Sequence, residues 1–241
     1  MVNMNADTAQ LFAEIAQELA AQPNLTDTLE QVVQLAVTCV PGVDLAGVSW
    51  LHRNSQIETP TCTDPIVASC DAAQYECGEG PCVEAAWEGS ICLIEDTRSE
   101  SRWPKFVARA AELGVRSILA CRLATPQDTI GALNLYSVQP AAFDEESQQF
   151  ATVFAAHASI ALANRRLQQD LRQAYESRGV IGQAIGILVE RHRISPDQAF
   201  DTLVRASQSR HVKLRELAQY MVETGVDPQD VRTRHGSIIA S

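Results

Sequence analysis

The stretch Gly179–Arg215, GVIGQAIGILVERHRISPDQAFDTLVRASQSRHVKLR, decides how this chain is read. Gly179, Gly182 and Gly186 punctuate an otherwise helical apolar pattern. Ser195-Pro196-Asp197-Gln198 then combines a Ser N-cap, a Pro at the first helical position and a Gln at the third, the signature of a capping box. The helix that starts there buries Ala199 and Leu203, with Phe200 and Ala206 as further candidates, and a last helix carries Val212, Leu214, Leu217, Ala218 and Met221 before Gly225 ends it. Between the two, Arg205, Arg210, His211, Lys213 and Arg215 fall within eleven residues with no acid among them, and Ser207, Gln208 and Ser209 interleave as neutral hydrogen-bonding groups.

That polar run has a chemical reading. Cations gain affinity for polyanions by releasing the counterions condensed on phosphates, and an arginine fork matches a phosphate or a guanine edge. Mixed with hydroxyls and an amide, they suit the exposed base edges of an RNA loop. A solvated helix face is the plain alternative. Gly182 and Gly186, four apart on one face, would let another backbone approach closely.

Working outward, the helical period begins near Asp144 and lasts about 45 residues without a cap, which suggests a coiled coil or a signalling helix. Ile160, Leu167, Ala174, Ile181 and Leu188 lie seven apart, and Asn164, Leu171, Arg178 and Ile185 take the alternate positions. Such 3/4 spacing predicts a self-associating helix, with Asn164 fixing register in a two-stranded coil. His157 reads as a packed residue on the same helix.

Ahead of it, Leu11, Phe12, Ile15 and Leu19 form the apolar face of a first helix after Asp7-Thr8. A second helix starts at Asn24 or Thr26 and stops at Pro41-Gly42. Residues 44–63 read as a hairpin, with its turn at Arg53-Asn54-Ser55. Residues 64–80 read as polar loop, up to Gly78-Glu79-Gly80. Pro81 then opens a short helix whose first backbone N–H groups are free to meet a ligand. SICLIED, SILACRLA and IGALNLYSV are further strands, and a helix follows Arg102-Trp103-Pro104. The result is an α+β domain: an antiparallel sheet of five or six strands with helices on one or both sides.

Composition sets bounds. Residues 1–164 hold 7 Lys+Arg against 21 Asp+Glu, and residues 165–241 hold 12 against 9, within a net charge of -11. A polyanion surface must therefore be local to the C-terminal part. No apolar run approaches the ~20 residues of a membrane span, and the N-terminus lacks a basic and apolar leader, so the expected location is cytoplasmic, with no membrane partner. Seven cysteines, an odd number without a C-x-x-C pair, argue against disulfides and against zinc. No P-loop, dinucleotide fingerprint, kinase signature or catalytic constellation is present, so no enzyme is expected.

GEGPC (78–82), RWP (102–104), GVRSILACRLA and IGALNLYS make residues 1–165 resemble a GAF sensor domain of the kind found in actinobacterial regulators. SRGVIGQAIGILVERHRISPDQAFDTLVRASQSRHVKLRELA (177–218) resembles an ANTAR domain, a three-helix RNA-binding module of transcription antitermination regulators. The domains expected are a GAF-like sensor over 1–165 and an ANTAR domain over 166–226. A long helix over about 145–190 bridges them, and a flexible tail covers 227–241. One departure stands out: Ile185 occupies the place of the family's lysine in its Q-A-K-G stretch. The resemblance implies a homodimer that holds tandem hairpin loops in mRNA leaders and so prevents terminator formation. A DNA-binding transcription factor, or a redox or small-molecule sensor without nucleic acid, are the alternatives. The RNA contacts expected are Arg178, Gln183, Gly186, Arg205, Ser207, Gln208, Ser209, Arg210, His211, Lys213 and Arg215. The seam is Ile160, Asn164, Leu167, Leu171, Ala174 and Ile181. Cys77 and Cys82, flanking the Gly-Glu-Gly turn, are the sensor candidates. GAF domains commonly take small molecules, but the sequence selects no cofactor or ligand.

Overall fold

A computed structural model describes residues 6–52, 54, 56–87, 91–234 and 237–238. It divides into two compact units, Met1–Leu167 and Gln168–Ser241.

The first unit is built on a five-stranded antiparallel sheet. Its strands are β1 (Leu45–Leu51), β2 (Ile57–Cys62), β3 (Ile91–Ile94), β4 (Ser117–Ala124) and β5 (Thr129–Ser137), in the order β2-β1-β5-β4-β3. Strand alternation gives the sheet two different faces. Leu133 and Leu135 of β5 join Ala46 and Val48 of β1 and Leu119, Cys121 and Leu123 of β4 in one core. Helices α1 (Ala6–Ala21) and α2 (Leu25–Cys39) cover that face with Phe12, Ile15, Leu19, Val32 and Val33. Asn24 caps α2, its side chain accepting from the Asp27 amide at 2.9 Å. His157 stacks on Phe12 at 5.7 Å between ring centroids, the packed role expected of it. The opposite sheet face carries Tyr136, Ile118 and Ala120 and packs on α3 (Pro65–Cys77), α4 (Pro81–Trp87) and α5 (Pro104–Glu112).

Helix α3 corrects the loop expected over 64–80. Asp64 caps it through the Ile66 amide, Pro65 opens it, and Gly78 closes it at φ 65°. Its inward positions are Val67, Cys70, Asp71 and Gln74. The helical period is intact, but two of the five buried side chains (Ala73 is the fifth), Asp71 and Gln74, are polar.

A single helix, α6 (Glu145–His192), contributes its first part to unit 1 and its last part to unit 2. Asp144 caps it through the Ser147 amide at 2.8 Å. In unit 2, α7 (Pro196–Arg210) begins on the full capping box of Ser195 and Gln198, and α8 (Leu214–Thr224) ends on Gly225 at φ 71°. Ala184 and Leu188 of α6 pack with Ala199, Leu203, Ala218 and Met221 into the core of this three-helix bundle, and Ala206 is buried as expected while Phe200 stands 42 % exposed on the outer face of α7.

Residues 227–234 correct the frayed tail expected there. Val231 is 4 % exposed and packs with Ala206, Val212 and Leu217, flanked by Val226 and Tyr220. Backbone pairing of Thr233 with Ile238 and Arg234 with Ser237 follows. Apolar residues too sparse to show a period still find a groove between α7 and α8.

Candidate nucleic-acid interface and sensor core

The cations of unit 2 fall into two groups. Arg178 on α6, Gln208, His211 and Lys213 at the α7–α8 turn, and Arg205 on α7 are exposed. Arg205 turns its Nε to the Asp201 carbonyl at 3.3 Å, and Lys213 lies 3.9 Å from Glu216, 86 % exposed, a separation at which screening leaves little attraction. The other group is engaged within the unit. Arg215 pairs with Glu176 at 3.2 Å. Ser207 Oγ donates to the Val212 carbonyl at 2.6 Å and closes the turn, while Ser209 Oγ donates to the Ala206 carbonyl at 3.1 Å. Arg210 donates from Nε to the Val231 carbonyl at 2.8 Å and from Nη2 to the Gln229 carbonyl. The turn itself depends on His211, the left-handed C-cap of α7 at φ 54°.

Gln183 and Gly186 face elsewhere. With Ile187, Glu190, Arg191 and Val222 they line an open groove of about 670 Å³ between α6 and α8. A Cβ added at Gly179, Gly182 or Gly186 would meet nothing within 4 Å, so no backbone among the described residues uses the room they leave. Arg191, absent from the sequence-based set, lines the groove and binds the Gly225 carbonyl at 2.8 Å and the Asp227 carboxylate. Its signal in the sequence was weak: a basic pair at a helix C-terminus normally reads as a dipole partner.

On the seam, Ile160, Leu167 and Leu171 are 59 %, 58 % and 62 % exposed, and Tyr175, which a strict heptad omits, is 82 % exposed. Asn164, Ala174 and Arg178 lie on the same exposed stripe, and Ile181 is half-buried. Leu188 departs from it and is buried in the bundle.

The sensor candidates sit in unit 1. Glu79 of the Gly-Glu-Gly turn accepts from the Lys105 and Phe106 amides at 2.7 and 3.2 Å. It thereby caps α5, whose own N-cap, Trp103, offers no side-chain bond. A Cβ at Gly80, φ 140°, would stand 2.5 Å from Gln74 Oε1. That oxygen accepts the Cys82 amide at 2.9 Å, so the expected ligand-facing N–H at the start of α4 is already engaged. The GEGPC and RWP motifs are thus physically one feature.

Beneath them lies a buried polar core that the sequence did not reveal. The Asp71 carboxylate accepts from Tyr136 Oη, from Asn134 Nδ2 at 2.9 Å and from Thr59 Oγ1 at 2.8 Å. Ser49 Oγ lies 2.5 Å from Tyr75 Oη and 2.9 Å from Cys82 Sγ. Asn134 Oδ1 is the one buried side-chain oxygen or nitrogen without a partner among the described residues. Burial pushes the Asp71 carboxyl up to about 6 against the lowering effect of its hydrogen-bond donors. Burial, aided by the Asp71 charge, pushes the Cys82 thiol up to about 12. Cys82 is therefore a protonated, shielded thiol, chemically the opposite of a reactive thiolate. Cys77, at the exit of α3, is half-buried. No group of metal-binding side chains occurs among the described residues, and no helix there is long and apolar enough to cross a membrane.

The fold and these sites define a sensor domain followed by a small helical nucleic-acid-binding domain. The GAF domain family matches residues 22–163 and the ANTAR domain family matches residues 169–222. The chain belongs to the GAF family and has the GAF–ANTAR architecture of antitermination regulators. None of the curated proteins matches the sequence. Among solved structures, the GAF domain of an Acinetobacter phosphoenolpyruvate-protein phosphotransferase is 17% identical, with TM-score 0.53, covering 68% of this chain and 97% of that one. Free methionine-R-sulfoxide reductase from Neisseria meningitidis is 18% identical, with TM-score 0.53, covering 68% and 96%. Bacteriophytochrome RpBphP3 from R. palustris is 10% identical, with TM-score 0.59, covering 86% of this chain and 48% of that one. Identities this low establish the shared fold alone.

Proposed function

We infer that this GAF-regulated RNA-binding regulator acts as a cytoplasmic homodimer, holding two adjacent stem-loops of a nascent transcript so that an overlapping terminator cannot form. The observation that carries the reading is the ANTAR unit itself, whose α7–α8 turn presents Lys213, His211 and Gln208 exposed and free of acid over 205–215. Loop bases offer free Watson–Crick edges to such groups, and the phosphates supply the charge. Arg178 and Arg205 extend the surface. The exposed stripe Ile160, Leu167, Leu171 and Tyr175 supports association through α6. Two sites on one dimer match two loops and raise the effective concentration of the second contact. The GAF unit supplies the signal, with the polar core around Asp71 as the place where its state is set.

The test is a gel shift comparing a tandem-hairpin RNA with duplex DNA of the same sequence. The RNA binds more tightly, and Arg178→Ala with Lys213→Ala lowers the salt slope by about 1.5. Preference for the duplex overturns the reading. Leu171→Asp yields a monomer in sedimentation; a dimer that survives it places the association elsewhere.

A further inference from the structure

The segment Gly225–Val231 lies beyond the matched ANTAR residues and is tied to the unit by cations at both ends and by the buried Val231 side chain. At its start, the Gly225 carbonyl and the Asp227 carboxylate take Arg191, and the other Asp227 oxygen lies 3.0 Å from His192 Nε2. At its end, the Gln229 and Val231 carbonyls accept from Nη2 and Nε of Arg210, while the Val231 side chain plugs the groove beside Val212 and Leu217. Between these anchors the segment makes a turn, the Asp230 amide donating to the Asp227 carbonyl at 2.9 Å. Carbonyls and a carboxylate set against a guanidinium fork are the acceptors that phosphate oxygens would replace.

We propose that Arg191, His192 and Arg210 form a second phosphodiester-binding face on the ANTAR unit, and that the 225–231 segment is a strap that occupies it in competition with RNA. This rests on the RNA-binding reading for the identity of the polyanion, but the masking itself does not. Arg191 also lines the groove that holds Gln183 and Gly186, so release of the strap joins that groove to the cationic face. Neutral carbonyls are weak substitutes for phosphate on Arg210, which makes the strap displaceable. The buried Val231 side chain, not charge alone, holds it closed.

The sign of one substitution separates this proposal from bulk charge. Val231→Asp in the full chain adds a negative charge, which by simple electrostatics weakens polyanion binding. Under the proposal it expels the strap and strengthens binding. A roughly tenfold gain for the tandem-hairpin RNA is expected if the strap leaves about a tenth of molecules open, with later elution from heparin and faster amide exchange over 225–234. Asp227→Asn and Asp230→Asn make the same charge change, but only Asp227 bridges the strap to Arg191 and His192. Asp227→Asn therefore shifts heparin elution and RNA affinity, each by more than Asp230→Asn does. If Val231→Asp disrupts the bundle, seen as lost protection over 196–222, the Asp pair decides. Equal effects of the two Asn variants overturn the proposal, as does a folded Val231→Asp protein that binds polyanions no better than the parent. Heparin shifts without RNA binding by any variant keep the masked face and discard RNA as its partner; RNA binding indifferent to all three variants does the reverse.

Discussion

On the proposed function, Gly182 and Gly186 make opposite demands on stability and on RNA binding, and Gly182→Ala with Gly186→Ala separates them. Both lie inside α6, and a Cβ at either meets nothing within 4 Å. Alanine therefore removes the entropic penalty of glycine without a clash, a gain of about 1 kcal/mol at each site. The gain at each site is the backbone entropy lost from the unfolded chain, a residue-by-residue quantity, so the two sum to about 2 kcal/mol. In a unit the size of Gln168–Ser241, each kcal/mol moves the midpoint by about 4–8 °C. The ANTAR transition of the full chain should thus rise by roughly 8 °C or more, followed by calorimetry and assigned by amide exchange over 180–222. RNA binding should fall in the same protein, because Gly186 opens the groove next to Gln183. A midpoint that stays or drops, with the protein monomeric by sedimentation, refutes the claim that the space is unused by the chain. A raised midpoint with unchanged RNA affinity removes the glycines from the binding surface.

Two further outcomes concern the sensor unit. Cys77 is alkylated by iodoacetamide well before Cys82 in the native protein, read by peptide mass spectrometry, because Cys82 is fully buried and its thiol is held protonated; equal rates would mean that the polar core opens readily. For Asp71 the folded carboxyl, at about 6, lies above its ordinary value of 3.8, so the folded state holds the proton more tightly. Its effect on stability is absent below about pH 4, becomes destabilising as pH rises from 4 to 6, and reaches about 3 kcal/mol above that. Asp71→Asn removes this slope, with Thr59 rotating its hydroxyl to accept from the new amide, and urea midpoints at pH 4.5 and 7 should converge relative to the parent. Parallel pH profiles in the two proteins would show that Asp71 ionises as freely when folded as when unfolded.

The sheet, the caps at Asn24 and Ser195, and the stop at Gly225 were legible because each is a local rule that the tertiary structure leaves intact. Helix α3 was not, since Asp71 and Gln74 occupy its buried face and apolar counting treats them as surface. Their partners Asn134 and Tyr136 come from a strand some sixty residues away, so no local spacing announces the polar core. The same holds for Arg210. Its place in an acid-free run reads as a free cation, and only the fold brings the carbonyls of Gln229 and Val231 to it. Polar residues serve both solvent and buried networks, and sequence proximity does not separate the two.

The long helix shows how far a periodic reading carries. A straight α-helix drifts about 20° per heptad against a 3.5-residue repeat. Over the four heptads from Ile160 to Leu188 that amounts to about 80°, enough to carry a residue from one face to the next. The exposures follow this drift: Ile160, Leu167 and Leu171 stand in solvent, Ile181 is half-buried, and Leu188 is 1 % exposed in the bundle core. A heptad sustained on paper thus becomes two surfaces on one helix. The first part is an exposed apolar stripe, and the last part is the spine of the ANTAR fold. Ile185 belongs to this second part. It is half-buried against the bundle core, so the residue standing where the family has a lysine contributes packing to the fold.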